Sequence, residues 1–352
     1  SKLVAAAAAS ELLRAPKGEA VEALAGPLSS FQELAGVEGV HVVDRAASAG
    51  GDVAVHASHG FGANAYSFDD LLPLLTKRPD VKRATAHDHP GFGLTRRPER
   101  TRAYALGGDA ALELIGDDSN RALFVGHSMG AVSAADAAIR RAEAGKATAL
   151  AVIAPAIIAG SKKPALAPRK KRLAAVIARA LALPFSLAVR SAGWLFRSRA
   201  VGWPLRLALR RLVLSRDFWL KGLGASYGAR GRGDADRLRA YAARYAIPSR
   251  ARGWEAGLLA FTASRLEQTL APAPDWDVAA RLVAALEAPD VPLDRVLVIH
   301  GAEDPIVPVA NSRRLAGHLG ARLVEVPGAG HCPHEEVPGE VEAAVSAFLD
   351  EW

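Results

Sequence analysis

Between residues 37 and 160, five short apolar runs rich in β-branched residues alternate with stretches of helical spacing, and this alternation limits the fold more than any other feature. VHVVDRA, DVAVHASHG, VKRATAHDHPG, RALFVGHS and TALAVIAP read as strands. SFDDLLPLLTKR, YALGGDAALELIG and MGAVSAADAAIRRAEAG lie between them with apolar residues spaced as on helices, and Gly145 sits where a C-cap would end the last. Such a chain is predicted to be α/β, with a mostly parallel, twisted sheet flanked by helices. The rhythm resumes near residue 294 with DRVLVIHG, NSRRLAGHLG, ARLVEVPGAG and a last helix, GEVEAAVSAFLDEW. The sheet is therefore interrupted and later completed.

The interruption holds no convincing strand. It is helical, basic and carries Trp194, Trp203, Trp219 and Trp254, as an inserted cap would, and SKKPALAPRKKR with its two prolines reads as the linker into it. The expected organisation is a helix or tail over 1–36 packed outside the sheet, a first core part over 37–160, a helical basic cap over 161–290 and a second core part over 291–352. No internal repeat is evident.

Charge marks the cap a second time. The whole chain of 352 residues has a formal net charge of +7. Residues 161–252 hold 22 Lys or Arg against Asp217, Asp234 and Asp236, a net of +19, whereas the rest holds 22 basic and 34 acidic residues, a net of −12. That asymmetry points to an anionic partner for this segment, whether lipid headgroups, nucleic acid or an acidic protein. Hydrophobic residues at 50% and charged residues at 23% exclude a disordered chain. A single cysteine, Cys332, allows no intramolecular disulfide, so nothing requires an oxidising compartment. The opening SKLVAAAAASELLRAP is too short and too weakly apolar to span a bilayer, and it reads as the trimmed end of a longer precursor.

Within RALFVGHSMGAVSA the chain places Gly126, Ser128 and Gly130 at every second position where a strand gives way to a helix. A nucleophilic serine needs an exposed oxygen, a base in hydrogen-bond reach and backbone donors for the oxyanion formed on attack. A turn tight enough to supply all three crowds the residues two before and two after the serine, so only small side chains fit there, and Gly126 and Gly130 occupy those positions. The N–H of Met129, at the start of the following helix, can face developing negative charge.

Three further stretches share this chemistry. SHGFGANAYSFDDLLPLL follows an earlier strand and offers His59, Gly60, Phe61 and Gly62, with the Phe61 N–H as a second oxyanion donor. VLVIHGAEDPIVP puts Asp304 in a loop after a strand, where an acid can orient an imidazole. VPGAGHCPHEEVP puts His331 on a glycine-bracketed loop after the last strand. Serine, aspartate and histidine follow in that order.

HGFG, DHPGFGLTRRP, GHSMG, GAEDPIVP and GHCPHEEVP, in this sequence order over residues 37–350, resemble the α/β-hydrolase superfamily. The resemblance implies the α/β-hydrolase fold with Ser128 as nucleophile, His331 as base, Asp304 as orienting acid, and Phe61 and Met129 as the oxyanion hole. It also implies that Asp88–Thr95 forms the loop beneath the site. Members with an aspartate nucleophile, the haloalkane dehalogenases and epoxide hydrolases, are disfavoured by the serine. If Asp304 only capped the helix after it, Asp290 or Asp294 would serve as the acid. His59 is expected to brace the oxyanion loop and His127 to be structural. The family spacing from histidine to Glu336 and Pro338 favours His331 over His334 as the base, and Cys332 is a packing residue rather than a nucleophile. No cofactor or metal is called for.

The cap runs LAAVIARALALPFSLAV and WLFRSRAVGWPLRLALRRLVLSRDFWL interrupt apolar stretches with arginine and proline, which suits an interfacial segment on anionic lipid better than a spanning helix. The alternative is a lid with its apolar side over the site. Nucleic acid is not expected, since no nucleic-acid motif accompanies the charge. YAIPSRARGWEAGLLAFTAS resembles plant and algal members of the superfamily, several of them plastidial, and this implies a plastid or other intracellular membrane-associated location. The expected activity is a serine hydrolase cleaving carboxylic esters of apolar or lipid groups through an acyl-enzyme. A C–C bond hydrolase, thioesterase or acyltransferase would use the same triad, and a non-catalytic receptor would use the same pocket.

Overall fold

The computed structural model describes residues 24–47, 50–97, 107–157, 208, 211–213, 215–251, 253–255, 257–262 and 277–352. The opening stretch up to residue 23, the linker 161–172, the apolar run 173–189, Trp194 and Trp203 lie outside the described residues.

Eight strands form one sheet: β1 (Ser29–Leu34), β2 (Val37–Ala46), β3 (Val53–Ser58), β4 (Val81–His87), β5 (Arg121–His127), β6 (Ala147–Ile153), β7 (Leu293–Gly301) and β8 (Arg322–Val326). Their order is β1-β2-β4-β3-β5-β6-β7-β8. β2 runs antiparallel to β1 and β4, and the other neighbours are parallel. β7 pairs directly with β6, so the long insertion leaves and rejoins at adjacent strands and the sheet closes across it.

Burial on both faces follows the two-residue period of a strand. In β5, Ala122 and Phe124 pack with the helix Gly130–Glu143, whose Ala131, Ala134, Ala135 and Ala138 let it lie close to the sheet. Leu123 and Val125 face the other way, into a layer with Leu72, Leu75, Val345 and Phe348. Fully burying one such side chain contributes roughly 1.5–3 kcal/mol.

The structure departs from the sequence reading at three places. Residues 29–34 form edge strand β1 rather than part of an outer helix or tail: Ser29 pairs with Val43 and Phe31 with His41. The hairpin turns at Ala35 and Gly36, with φ of 52° and 69°. Two consecutive left-handed residues make the turn whose twist suits a hairpin, and an alanine at the first conceals it from a reader looking for Asn-Gly. Second, SFDDLLPLLTKR is a short 3-10 turn, Ala65–Phe68, followed by the single-turn helix Leu72–Leu75. Pro73 lies in the first turn of that helix and cannot sit in the middle of a longer one. Third, helix Val278–Glu287 falls in the range read as cap but packs Leu282 and Ala285 into the core, and Arg281 meets Asp136 at 2.7 Å. The core thus resumes before residue 290.

The described cap includes helices Arg216–Ser226, Ala229–Gly233 and Ala235–Ala246. Trp219, Leu223, Tyr241, Tyr245 and Trp254 form its own apolar cluster, which takes in Ala63 and Cys332 of the core. Arg237 and Arg244 reach across to Asp70 at 2.7 and 3.4 Å.

Candidate active site

Ser128 stands at the C-terminal end of central strand β5 with φ of 51°, a left-handed conformation that costs a non-glycine residue about 1–2 kcal/mol. The end of β6 and the loop after it hold it there. Its N–H donates to Ile153 at 2.9 Å, and its carbonyl accepts from Ala156 at 2.9 Å. The glycines around it are dictated by space. A Cβ on Gly126 would lie 2.5 Å from Ala131 Cα, and one on Gly130 would lie 2.1 Å from the Ser58 carbonyl oxygen.

His331 and Asp304 meet this serine from two other loops. His331 Nε2 is 3.0 Å from Ser128 Oγ, and His331 Nδ1 is 2.8 Å from Asp304 Oδ2. Asp304 Oδ1 accepts from the N–H groups of Ile306 and Val307 at 2.7 and 3.0 Å. The same carboxylate therefore caps its local turn and faces the imidazole, whereas helix Val309–Leu319 begins after Pro308. Burial alone would raise the Asp304 carboxyl, but hydrogen bonds from His300 and His331 outweigh it and hold the group well below the usual carboxylate range. An ionised Asp304 accepts Nδ1–H of His331 and leaves Nε2 free to accept the Ser128 proton.

The loop after β3 closes over the serine from the other side. A Cβ on Gly60 would lie 2.8 Å from His127 Nδ1 and 3.2 Å from Ser128 Cβ, so only glycine lets Phe61 approach. His59 braces this loop: its Nδ1 is 2.8 Å from the Gly60 carbonyl and its Nε2 accepts the His89 N–H at 3.0 Å. Burial lowers the His59 imidazole, which stays neutral with one donor and one acceptor, as those bonds require. Met129 directly precedes helix Gly130–Glu143, where first-turn N–H groups have no partner within the helix. Phe61 is exposed, and its ring meets Phe92 edge-on at 5.5 Å.

Beneath the site, Asp88 accepts from Ala65 and Leu94 N–H, each at 2.6 Å, and faces His41 Nδ1 at 2.8 Å. Those bonds tie the Asp88–Thr95 loop to β2 and to the oxyanion-side loop. His127 gives Nε2–H to the His331 carbonyl at 2.9 Å, a structural contact. Cys332 is buried, and burial followed by the nearby Glu335 and Glu336 pushes its thiol up, which leaves it a packing group.

Ser128 and His331 open on a cavity of about 200 Å³. Phe61, Phe218, Trp219, Leu223 and Ile306 give it apolar walls, and the cap supplies three of the five. The cap also bonds the histidine loop directly. His331 N–H donates to the Ser226 carbonyl at 2.8 Å, and Glu336 accepts from Gly228 and Gly330 N–H at 2.8 and 2.9 Å.

Two participants escaped the sequence reading. His300, four residues before Asp304 on β7, puts Nε2 at 3.1 Å from Asp304 Oδ2 and 2.9 Å from the Val307 carbonyl, while its Nδ1 faces Ser312 at 2.7 Å. It is a second donor to the acid. Its signal was the His in VLVIHGAED, visible but indistinguishable from a core histidine. The other is Glu335, whose partners lie far away in sequence. Among the described residues no three His, Cys, Asp or Glu side chains converge as a metal-ligand set, and no helix is long and apolar enough to cross a membrane.

The model of the alpha/beta hydrolase family matches residues 54–344, most of the chain. Comparison with curated proteins finds no match. Among solved structures, the fold is similar to a meta-cleavage product hydrolase from Pseudomonas fluorescens IP01 at 21% identity, with a TM-score of 0.58, covering 92% of this chain and 98% of that one. It is also similar to a thermophilic esterase from Thermogutta terrifontis at 15% identity, TM-score 0.57, covering 92% and 98%. A membrane phospholipase A described as a bacterial virulence factor matches at 19% identity, TM-score 0.55, covering 99% and 96%. None of these carries the plastid likeness read from residues 245–264. The strand order, the serine turn and the family match lead to one conclusion: this chain belongs to the alpha/beta hydrolase family.

Proposed function

We propose that the protein is a serine hydrolase that cleaves carboxylic esters of apolar groups, with Ser128 as nucleophile, His331 as general base and acid, and Asp304 as the acid that orients it. The observation that carries this reading is the hydrogen-bonded run from Ser128 through His331 to Asp304, opening on an apolar cavity. Ser128 Oγ attacks the ester carbonyl as its proton passes to His331 Nε2. The resulting imidazolium is stabilised by Asp304, and the N–H groups of Met129 and Phe61 receive the oxyanion. Collapse expels the alcohol, which takes the proton from Nε2. Water then gives a proton to Nε2 as it attacks the acyl-enzyme, and collapse breaks the acyl bond to Ser128 Oγ, which takes that proton back from Nε2 as the acid is released. The aromatic and aliphatic walls supply apolar contact for the acyl or alkyl chain.

A fluorophosphonate probe is expected to label the wild-type protein and to leave Ser128→Ala unlabelled. Labelling that survives the substitution defeats the proposal. A screen of esters, thioesters and vinylogous ketones of graded chain length, run beside the Ser128→Ala control, identifies the reaction subtype, and an apolar ester is the expected best substrate.

The basic cap is proposed to seat the enzyme on an anionic lipid surface. The support is the excess of +19 over residues 161–252, together with exposed Lys221, Arg239 and Leu212 among the described residues.

A further inference from the structure

Glu335, four residues past His331, is fully buried between cap and core, and three hydroxyls converge on it. From the cap, Tyr227 donates to Oε2 at 2.6 Å and Tyr245 to Oε1 at 2.7 Å. From the core, Ser67 donates to Oε1. The Ser67 oxygen also faces His334 Nε2 at 2.9 Å. A hydroxyl has one proton. With that proton directed at Glu335, His334 must donate Nε2–H to Ser67, and its Nδ1 is left as the buried atom without a partner. Every proton in the run is thereby assigned, with Glu335 as a carboxylate.

Protonation breaks this arrangement. A neutral Glu335 becomes a donor, so at least one hydroxyl must turn away. If Glu335 donates to Ser67, Ser67 must donate to His334 Nε2, and the His334 proton must move to Nδ1, where no acceptor waits. The His334 ring lies 4.5 Å from the ring of His127, whose Nε2–H holds the His331 carbonyl at 2.9 Å. On the cap side, Tyr245 lines the cavity beside Trp219, with ring centroids 6.0 Å apart.

We infer that Glu335 is a positioning residue: its carboxylate seats the cap on the histidine loop through Tyr227 and Tyr245, and loss of its charge loosens the cavity wall and the seat of His331 together. Burial pushes the Glu335 carboxyl up to about 7, against the pull of its three hydroxyl donors. Glu336 adds to the rise, and it is itself held by backbone N–H groups. His334 is lowered to about 3 by burial and stays neutral. Tyr227, Tyr241, Tyr245 and Cys332 are pushed up by burial and stay protonated. Arg237 faces the same joint, but it engages Asp70 at 2.7 Å and the Glu335 carbonyl at 3.3 Å. The charge on Glu335 therefore changes in the neutral range.

The kinetic arm of the test rests on the serine-hydrolase reading, and the spectroscopic arm does not. Infrared difference spectra of the full chain between about pH 5 and pH 9 follow the carbonyl band of a buried neutral carboxylic acid. The expected result is a band that grows as the pH falls through neutrality, is lost in Glu335→Gln, and in Tyr227→Phe grows in at higher pH because one donor to the carboxylate is gone. Fluorophosphonate labelling of the wild type is expected to slow as that band appears. Glu335→Gln is expected to label about tenfold more slowly at alkaline pH and to lose the part of the acid-side fall that tracks the band, keeping only the fall due to protonation of the base His331. A band unchanged in Glu335→Gln, or variants labelling at the wild-type rate with the wild-type pH profile, overturns the inference. Failure of the wild type to label at all overturns the serine-hydrolase reading instead and leaves the infrared result to decide on Glu335. Should Glu335→Gln not fold, the upward shift in Tyr227→Phe decides alone.

Discussion

Replacing Asp304 by asparagine changes one oxygen to an amide nitrogen, and the structure determines which one. Oδ1 accepts two backbone N–H groups, from Ile306 at 2.7 Å and Val307 at 3.0 Å. An amide NH₂ placed there would oppose two donors, so the asparagine oxygen takes that position and its NH₂ replaces Oδ2. Oδ2 is the atom 2.8 Å from His331 Nδ1. The new NH₂ donates to Nδ1, the imidazole moves its proton to Nε2, and Ser128 at 3.0 Å meets a donor where it needs an acceptor. By analogy with the wrong-tautomer substitution known in serine proteases, kcat is expected to fall about 10,000-fold, a loss of roughly 5.5 kcal/mol of transition-state stabilisation. KM should change little, because Asp304 is absent from the cavity wall. The assay is steady-state hydrolysis of the best ester from the substrate screen, with the rate of fluorophosphonate labelling measured in parallel. A variant within tenfold of the wild-type kcat would refute the tautomer argument and move the acid to another residue.

Gly130→Ala places a Cβ 2.1 Å from the Ser58 carbonyl oxygen where ordinary contact begins at 3.4 Å, so the His59–Gly62 loop must retreat by about 1.3 Å. Such a displacement of the Phe61 N–H, the proposed oxyanion donor, is expected to lower kcat about 100-fold, and thermal melting should show a loss of about 1–3 kcal/mol; wild-type turnover in this variant would contradict the close approach. Acid stability follows from Asp304 and Asp88, which burial would raise but which are held below their ordinary 3.8, Asp304 by hydrogen bonds from His300 and His331 and Asp88 by the electrostatic pull of His41 followed by its hydrogen bonds. A depressed folded value contributes stability that is complete above the unfolded value and lost as pH falls toward the folded one, so denaturant midpoints should drop below about pH 4. In Asp304→Asn the midpoint gap to wild type should narrow over that range, and a constant gap would exclude the carboxylate as its source. Anionic vesicles are expected to recruit the protein and salt to release it, as co-sedimentation would show; equal binding to neutral vesicles at every salt concentration would remove the electrostatic contribution.

Much of the site was legible because its residues are forced by local geometry. Gly126 and Gly130 report a turn in which no side chain fits, and such crowding is written into a five-residue window. Ser128, Asp304 and His331 each sit on a loop just past the end of a strand, so a reader who finds the strands finds the loops. Edge strand β1 was hidden for the opposite reason. Its hairpin depends on a left-handed Ala35, a conformation the residue type does not announce. The end of the cap was also hidden, since helix Val278–Glu287 has the apolar stripe of any amphipathic helix and only packing shows that it faces Asp136 and the sheet. His300 and Glu335 belong to this second class. Their chemistry depends on partners that the sequence does not place beside them.

The buried imidazoles explain how so tight a turn is held without burying charge beyond that of its two carboxylates, Asp88 and Asp304. His41, His56, His59, His87, His89, His127, His300 and His334 all lie below the surface around the loops that carry the site. Burial lowers His56, His59, His87, His89, His127 and His334, so these rings are neutral. A neutral imidazole offers one donor and one acceptor in fixed directions, and it links two loops at the desolvation cost of a polar group rather than of an ion. Hence His59 can join the oxyanion-side loop to His89, and His127 can join the serine turn to the His331 carbonyl, without adding charge near the reacting atoms. The carboxylates at Asp88 and Asp304 sit among several donors each, where their charge is satisfied locally. Ser128 is thereby held in its left-handed conformation among neutral imidazoles and carboxylates whose charge is met by local donors. On the proposed mechanism, charge developing on attack would meet the Met129 and Phe61 N–H groups in a setting of low dielectric, where such donors act most strongly.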